Sequence, residues 1–282
     1  MTYKTLISAN SLQQNLYNPD WVIIDCRFSL ANTEIGAYNY RHGHLPNARY
    51  AHLDKDLSSA ITAQTGRHPL PDFRVLAKIL GAWGVTNHSQ VVVYDDAAGA
   101  FAGRLWWLLR CLGHEAVAVL DGGIQHWQKL GYAITTTLPR IKAVTFRAYL
   151  DPTTWLNAEQ VQNGIAQHAI CLLDARTPER YRGEQEPIDP IAGHIPQAIN
   201  RPLALNLHKG LFLSPDALHA QFRLLIGTRP AEQIVHYCGS GVTACHNVLA
   251  MEHAGLKGSK IYAGSWSEWI RNKNRSIRKG QY

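Results

Sequence analysis

The sequence predicts an α/β fold of two tandem domains, each a mostly parallel sheet with helices on both faces. Its length of 282 residues fits two domains of about 100–150 residues each. Short apolar runs alternate with segments of helical periodicity, which is typical of a parallel sheet covered by helices. The same motifs also occur twice in the same order, which indicates a duplicated domain.

Four motifs recur, in the same order, in both halves of the chain. They are an apolar run ending in Asp-x-Arg (21–27 and 170–176), Gly-His-x-Pro-x-Ala (43–48 and 193–198), a second apolar run (91–95 and 234–238), and a longer stretch (104–127 and 246–269). We therefore expect a first domain over residues 1–138, a linker over 139–152 and a second domain over 153–282. Because the Asp-x-Arg pairs occur in both halves, we assign them to the fold rather than to chemistry.

Each half contains segments of helical periodicity between its apolar runs. The predicted helices span 72–81, 101–112, 215–225 and 242–254.

The composition is that of an ordinary globular protein, with 46% hydrophobic and 17% charged residues. No apolar run reaches the ~18 residues of a membrane span, and the first residues lack the apolar core of a signal peptide. Five cysteines without paired spacing argue against a disulfide framework and favour a cytoplasmic location.

The formal net charge of +7 indicates a surface that attracts small anions. Five of the basic residues lie in 271–279, a segment without acidic residues. We interpret this segment as a solvated tail rather than a nucleic-acid site, and we expect neither nucleic acid nor membrane as a partner.

Cys238 follows the apolar run 234–237 and precedes the predicted helix 242–254. A thiol at the end of a strand, beside a helix N-terminus, loses its proton more easily because the unpaired N–H groups stabilise an anion. The alternative is a buried structural cysteine, the commoner fate of a free thiol. The glycines and hydroxyl residues that follow Cys238 favour a nucleophile.

The run Cys-Gly-Ser-Gly-Val-Thr at 238–243 resembles the active-site loop of the rhodanese-type sulfurtransferases, in the form typical of 3-mercaptopyruvate sulfurtransferases. Thiosulfate sulfurtransferases of the animal type carry basic residues after the cysteine, where this chain has Gly239 and Ser240. Further motifs that resemble the family lie at 65–71, 104–107, 120–123 and 262–269. The resemblance implies two rhodanese-like domains.

Asp95 stands in the first half where Cys238 stands in the second. A carboxylate cannot act as the sulfur nucleophile, so we expect the first domain to be catalytically silent. This arrangement is similar to that of the tandem rhodanese family, in which only the C-terminal domain carries the active cysteine.

The resemblance implies that one arginine and the loop backbone bind the substrate. This set comprises Arg180, Gly239, Gly241, Val242 and Thr243. Mercaptopyruvate sulfurtransferases usually carry a second arginine after a Glu-Pro pair, and here Ile188 stands near that position. Arg182 is a candidate to compensate for this loss.

The resemblance also implies a proton-transfer pair. We expect His44, from the first domain, to act with the loop residue Ser240 during turnover of mercaptopyruvate. His194, which matches His44 in the repeat, is interpreted as structural.

The expected reaction is sulfur transfer through a persulfide on Cys238, from 3-mercaptopyruvate to a thiol or cyanide acceptor, without a cofactor. Thiosulfate is the alternative donor, so the expected partners are a small anionic sulfur donor and a nucleophilic acceptor. A persulfide carrier that is not an enzyme stays open.

Two other interpretations are rejected. A phosphatase of this fold needs an arginine after five further loop residues, where this chain has Ala244. A zinc site built from Cys238, Cys245, His246 and His253 lacks the usual close ligand pairs. Cys245 itself is expected to be a core residue rather than a resolving thiol.

Overall fold

The structure, a computed structural model, describes residues 2–281. It divides into two compact units. The first unit comprises residues up to 59 and residues 70–151, and the second comprises residues 60–69 and 152–282. The short segment 60–69 therefore groups with the second unit, although it lies in the first half of the chain.

The predicted linker also falls differently from expectation. Residues 139–151 group with the first unit, where Val144 N–H donates to the carbonyl of Gly81 (2.9 Å) and Tyr149 N–H to that of Leu112 (3.0 Å).

The first unit contains five strands and five helices among its described residues. They are β1 (Leu6–Ile7), α1 (Ala9–Asn15), β2 (Trp21–Asp25), α2 (Ile35–His42), β3 (Arg49–Tyr50), α3 (Phe73–Ala82), β4 (Gln90–Tyr94), α4 (Ala102–Cys111), β5 (Val117–Leu120) and α5 (Gly123–Lys129).

The second unit repeats this order and adds a small hairpin, β9–β10. Its elements are β6 (Trp155–Leu156), α6 (Ala158–Ala166), β7 (Cys171–Asp174), α7 (Pro178–Arg182), β8 (Ile199–Asn200), β9 (Leu207–His208), β10 (Leu211–Phe212), α8 (Pro215–Ile226), β11 (Ile234–Tyr237), α9 (Ala244–His253), β12 (Lys260–Tyr262) and α10 (Ser265–Trp269).

The two large sheets have the same topology. The first sheet has the strand order β1-β5-β4-β2-β3 and the second β6-β12-β11-β7-β8, and all pairs in both are parallel. The four predicted helices correspond to α3, α4, α8 and α9 to within two residues at each end.

Local sequence explains where several helices begin. The Asp72 carboxylate accepts backbone N–H groups of Arg74 and Val75 and so caps α3. Asn157 and Gln160 form a capping box at α6.

Helices cover both faces of the second sheet because alternate strand residues point to opposite sides. Leu172 and Val235 pack in a cluster with residues of α6, α7 and α10. Leu173 and Ile234, of the opposite parity, pack in another cluster with residues of α8 and α9. The predicted α/β fold is confirmed.

Each Asp-x-Arg pair forms a buried ion pair at the carboxyl end of a strand of its sheet. Arg27 Nη2 lies 2.6 Å from Asp25, and Arg176 Nη2 lies 2.6 Å from Asp174. In both units the arginine also donates to a glycine carbonyl (2.7 Å). Because the contacts are the same in both halves, they support the assignment of these pairs to the fold.

Within residues 2–281, no helix is long and apolar enough to cross a membrane.

Candidate active site

Cys238 lies at the carboxyl end of β11, the central strand of the second sheet. Ligands of parallel α/β sheets bind at this edge. The side chain is 2% exposed. The backbone N–H of Gly241 donates to its Sγ (3.2 Å), and α9 begins at Ala244, six residues after the cysteine. The sulfur therefore lies in a loop that curls into a helix N-terminus.

The loop conformation depends on glycine at one position. Gly241 has φ +77°, and a Cβ there would lie 2.1 Å from the carbonyl oxygen of Ala263. The backbone of Cys238 is fixed on both sides, since its N–H donates to Ser265 Oγ (3.2 Å) and its carbonyl accepts the N–H of Trp266 (3.0 Å). The nucleophile is thus held by the start of α10.

The matching loop of the first unit shows what such a loop binds. Asp95, which is fully buried, accepts four backbone N–H groups with its carboxylate. Oδ1 accepts those of Ala97 and Gly99 (both 2.9 Å), and Oδ2 accepts those of Phe101 and Ala102 (both 2.8 Å). This loop is an anion site that its own side chain fills.

The carboxylate oxygen of aspartate and the outer sulfur of a cysteine persulfide are both two bonds from Cβ. Gly99 and Gly241 both have positive φ, and each donates its N–H to the side chain at the strand end. The Asp95 loop therefore indicates where the outer sulfur of a Cys238 persulfide would accept N–H groups. In the second unit these belong to residues around Thr243 and Ala244, where helix N–H groups lack an intrahelical partner.

Ser240 makes a hydrogen bond to a histidine that we did not select from the sequence. Its Oγ lies 2.7 Å from Nδ1 of His68, and both residues are buried (6% and 4% exposed). His68 belongs to the segment 60–69, which groups with the second unit. The only signal in the sequence was the run 65–71, which we had noted as a motif without assigning a role to it.

The structure does not support the expected role of His44. Its side chain is fully buried in the first unit, where the ring stacks on Tyr40. Nδ1 contacts the Tyr40 carbonyl (2.7 Å) and Nε2 the Thr137 carbonyl (3.2 Å), so both nitrogens are engaged. His194 stacks in the same way on Tyr181. We therefore replace His44 with His68 as the proposed partner of Ser240.

Arg180, which we expect to bind the substrate, lies beside the loop. A Cβ built on Gly239 would lie 3.5–3.6 Å from its two terminal nitrogens. Its Nε and Nη2 donate to Glu186 (2.7–3.1 Å), and Nη2 also contacts Asp189 Oδ2 (3.1 Å). Ile188, in contrast, is exposed.

The pKa values of the two carboxyl groups beside Arg180 are shifted in opposite directions. Burial acts to raise the pKa of Glu186, but hydrogen bonds from Arg180 and from the N–H groups of Asp189 and Ile188 outweigh it and hold that pKa below its usual value. Burial raises the pKa of Asp189, despite the arginines nearby.

Arg67 is the second side chain that sequence reasoning missed. Its Nη1 forms an ion pair with Asp189, and its backbone N–H donates to Ser267 Oγ (3.1 Å). A Cβ on Gly239 would lie 2.7 Å from Nη2 of Arg67. Two guanidinium groups therefore border the residue that follows the nucleophile.

The remaining predicted site residues have clear positions. Val242 is buried, and Thr243 immediately precedes α9. Cys245 is fully buried in α9, with Sγ 3.4 Å from the carbonyl of Gly241. Among residues 2–281 no group of three or more His, Cys, Asp or Glu side chains is arranged to hold a metal ion.

Together, the parallel α/β units and the position of Cys238 define a protein with a buried thiol in an anion-binding loop. Comparison with known proteins extends this description. The family model described as "Rhodanese-like domain" matches residues 8–130 and again residues 157–272.

Three known proteins illustrate the similarity. The chain is 45% identical to the "Probable 3-mercaptopyruvate sulfurtransferase" of Pseudomonas aeruginosa, over 99% of this chain and 100% of the relative. It is 31% identical to the thiosulfate sulfurtransferase of Mus musculus, over 95% and 93% of the two chains. The crystal structure of SseA from Escherichia coli, described as a 3-mercaptopyruvate sulfotransferase, superposes with a TM-score of 0.81 at 29% identity, covering 94% of this chain and 100% of that one.

The chain therefore belongs to the rhodanese family, as a tandem-domain sulfurtransferase.

Proposed function

We propose that this protein transfers sulfur from 3-mercaptopyruvate to a thiol or cyanide acceptor through a persulfide on Cys238. The observation that carries the proposal is the position of Sγ at the N–H of Gly241, in a loop whose counterpart binds the Asp95 carboxylate with four N–H groups. Such a loop stabilises the thiolate and the persulfide anion alike.

In the first half-reaction the Cys238 thiolate attacks the thiol sulfur of mercaptopyruvate. The new S–S bond forms as the C–S bond of the donor breaks, and the electron pair of that bond leaves as the enolate of pyruvate. The enolate takes up one proton at its carbon, and the thiol of the donor gives up one. The products are a persulfide anion and pyruvate.

Ser240 and His68 are the proposed path for this proton. The 2.7 Å hydrogen bond between them is short enough for direct transfer. Because both groups are buried, bulk water does not compete for the proton.

In the second half-reaction the acceptor attacks the outer sulfur. With cyanide the products are thiocyanate and the Cys238 thiolate, so the enzyme returns to its starting state by a ping-pong mechanism. All five cysteines are buried free thiols, and we infer a reducing compartment such as the cytoplasm.

Thiosulfate is the second candidate donor, and Arg67 and Arg180 favour it. Two guanidinium groups near Gly239 suit a doubly charged anion, and the mouse relative is named a thiosulfate sulfurtransferase. Attack of the thiolate on the outer sulfur then releases sulfite, without any proton transfer.

The deciding experiment measures kcat/KM with each donor and locates the transferred sulfur by mass spectrometry. We expect one added sulfur atom on Cys238 and a higher kcat/KM for mercaptopyruvate. A higher value for thiosulfate would select the second candidate, and an adduct on a different cysteine, or none with either donor, would refute the mechanism.

A further inference from the structure

The guanidinium of Arg67 is only partly used by its partners in the protein. Nη1 pairs with Asp189. Nε is buried and has no hydrogen-bond partner among the described residues, and Nη2 is the atom that approaches the Cβ position of Gly239. A buried N–H without a partner is unfavourable, and an anion bound beside it would remove that penalty.

Arg180 also has a guanidinium nitrogen near Gly239 that its carboxylate partners do not use. Its bonds to Glu186 and Asp189 use Nε and Nη2. Nη1, for which no hydrogen bond is present among residues 2–281, lies 3.6 Å from the Cβ position of Gly239. Asp189 bridges the two arginines, with one oxygen toward each. The carboxylates thus occupy one side of the guanidinium pair, and its free N–H groups lie beside the loop.

The position that usually carries the second arginine of mercaptopyruvate sulfurtransferases holds Ile188 instead. This side chain has no charge, and it is 41% exposed. Asp189, the next residue, fixes Arg67 from the distant segment 60–69. Arg67, from another part of the chain, therefore places a positive charge close to Ile188, where the family usually has an arginine.

We propose that Arg67 and Arg180 together bind the anionic group of the sulfur donor, with Arg67 taking the place of the missing second arginine. The inference rests on the proposed function for the identity of the donor. Their free N–H groups suit the oxygens of a carboxylate or of a sulfonate-like group. Gly239 makes this possible, since a larger residue would displace Nη2 of Arg67.

The test compares Arg67→Gln with Arg229→Gln. Arg229 is a matched control because it is exposed and precedes β11, at the end of that strand opposite to Cys238. For Arg67→Gln we expect the KM for the donor to rise ~10- to 100-fold, the effect of a lost charge-assisted hydrogen bond, with kcat changed less than ~3-fold. Arg229→Gln is expected to leave both constants unchanged.

A binding measurement separates this inference from the proposed function. In the background Cys238→Ser, which cannot form a persulfide, titration calorimetry with thiosulfate and with pyruvate should show ~10- to 100-fold weaker binding after Arg67→Gln. Equal binding with and without Arg67 would overturn the inference, even if sulfur transfer were confirmed. Weaker binding would support it even if no transfer were found.

Rescue distinguishes anion binding from a structural role of the ion pair with Asp189. Adding Ile188→Arg to Arg67→Gln should restore the KM to within ~5-fold of the original, because the charge returns at the usual position of the family. If Arg67→Gln left the KM unchanged and lowered only the apparent kcat, in proportion to a loss of folded protein, and Ile188→Arg restored nothing, a donor-binding role would be excluded.

Discussion

The two strand-end loops of this protein differ in how their N–H groups are used. In the first unit, the Asp95 carboxylate saturates four of them, and no persulfide can form on it. In the second, the Cys238 sulfur accepts one N–H, from Gly241. The loop of the first unit thus contributes to stability, because its anion, the Asp95 carboxylate, is part of the folded protein. In the proposed reaction the loop of the second unit contributes to chemistry, because its anion, the Cys238 persulfide, is formed and consumed in each cycle.

An anion-binding loop alone cannot carry out sulfur transfer, because a carboxylate such as that of Asp95 cannot form a persulfide. The second unit has a thiol at this position, together with a serine–histidine pair and two arginines at the loop. The following substitutions test this difference between the two loops.

The largest effect is expected from Cys238→Ser, which removes the nucleophile. A neutral hydroxyl cannot form a persulfide, so transfer from either donor should fall at least ~10³-fold. Cys245→Ser is the matched control and should retain most of the activity. A folded but inactive Cys245→Ser protein would contradict a mechanism with one nucleophile.

Ser240→Ala is expected to lower kcat for mercaptopyruvate ~100-fold, because it removes the proton path to His68. The rate with thiosulfate should change less than ~3-fold, since sulfite leaves without taking a proton. Steady-state kinetics with both donors, measured on the same protein preparation, compare the two losses of rate directly. Equal losses for both donors would mean that Ser240 supports the loop rather than the proton.

Asp95→Asn tests the permanent anion of the first loop. Loss of charge-assisted hydrogen bonds should lower the free energy of unfolding of that unit by about 2 kcal/mol, measured by urea denaturation. The amount of persulfide formed on Cys238 should not change. Asp96→Asn, at the half-buried neighbour, should change stability by less than ~0.5 kcal/mol. A similar loss in both variants would refute a special role for the N–H groups around Asp95.

The last effect, a loss of stability confined to acid pH, concerns the strand before Cys238, where His236 stands at the position that Val93 occupies in the first unit. Burial, helped by the positive charge of Arg201, lowers the pKa of this fully buried histidine to about 3. The unfolded chain binds a proton below its ordinary pKa of ~6.5, whereas the folded protein does not. Stability contributed by neutral His236 is therefore lost as the pH falls from ~6.5 toward ~3, by up to ~1.4 kcal/mol per pH unit.

His236→Val should flatten the dependence of the unfolding free energy on pH between 6.5 and 5. Unfolding by urea at several pH values measures the slope. His208→Val, at an exposed histidine, serves as the control and should leave the slope unchanged. Identical slopes for wild type and His236→Val would show that this histidine is not kept neutral by the fold.

Much of the fold was predictable because its signals are local. Apolar runs with turn residues at their ends predicted the strands, and periodicity placed α8 within one residue at each end. The loop around Cys238, the candidate nucleophile, was predictable for the same reason, since Cys238, the glycines and the following helix are contiguous in sequence.

The residues around the nucleophile were harder to predict because they come from distant segments. His68 and Arg67 lie far from the loop in sequence, and no periodic pattern indicates that the segment 60–69 groups with the second unit. The sequence already held an argument against a catalytic role for His44, because the Gly-His-x-Pro motif occurs in both halves. A motif that also occurs in the unit without the reactive cysteine is better explained by a role in the fold. The contacts agree with this, since the histidine of the motif stacks on Tyr40 in the first unit and on Tyr181 in the second.

The space above Gly239 also constrains how this site can evolve. A side chain at position 239 would approach Nη2 of Arg67 to 2.7 Å, so the guanidinium would have to shift. A lineage that moves toward a basic residue after the cysteine must therefore reposition or lose Arg67, and the order of the two mutations matters. Gly239→Arg alone would move one cation as it gains another, whereas after loss of Arg67 the same mutation restores the charge. The two positions should consequently covary, although they are distant in sequence.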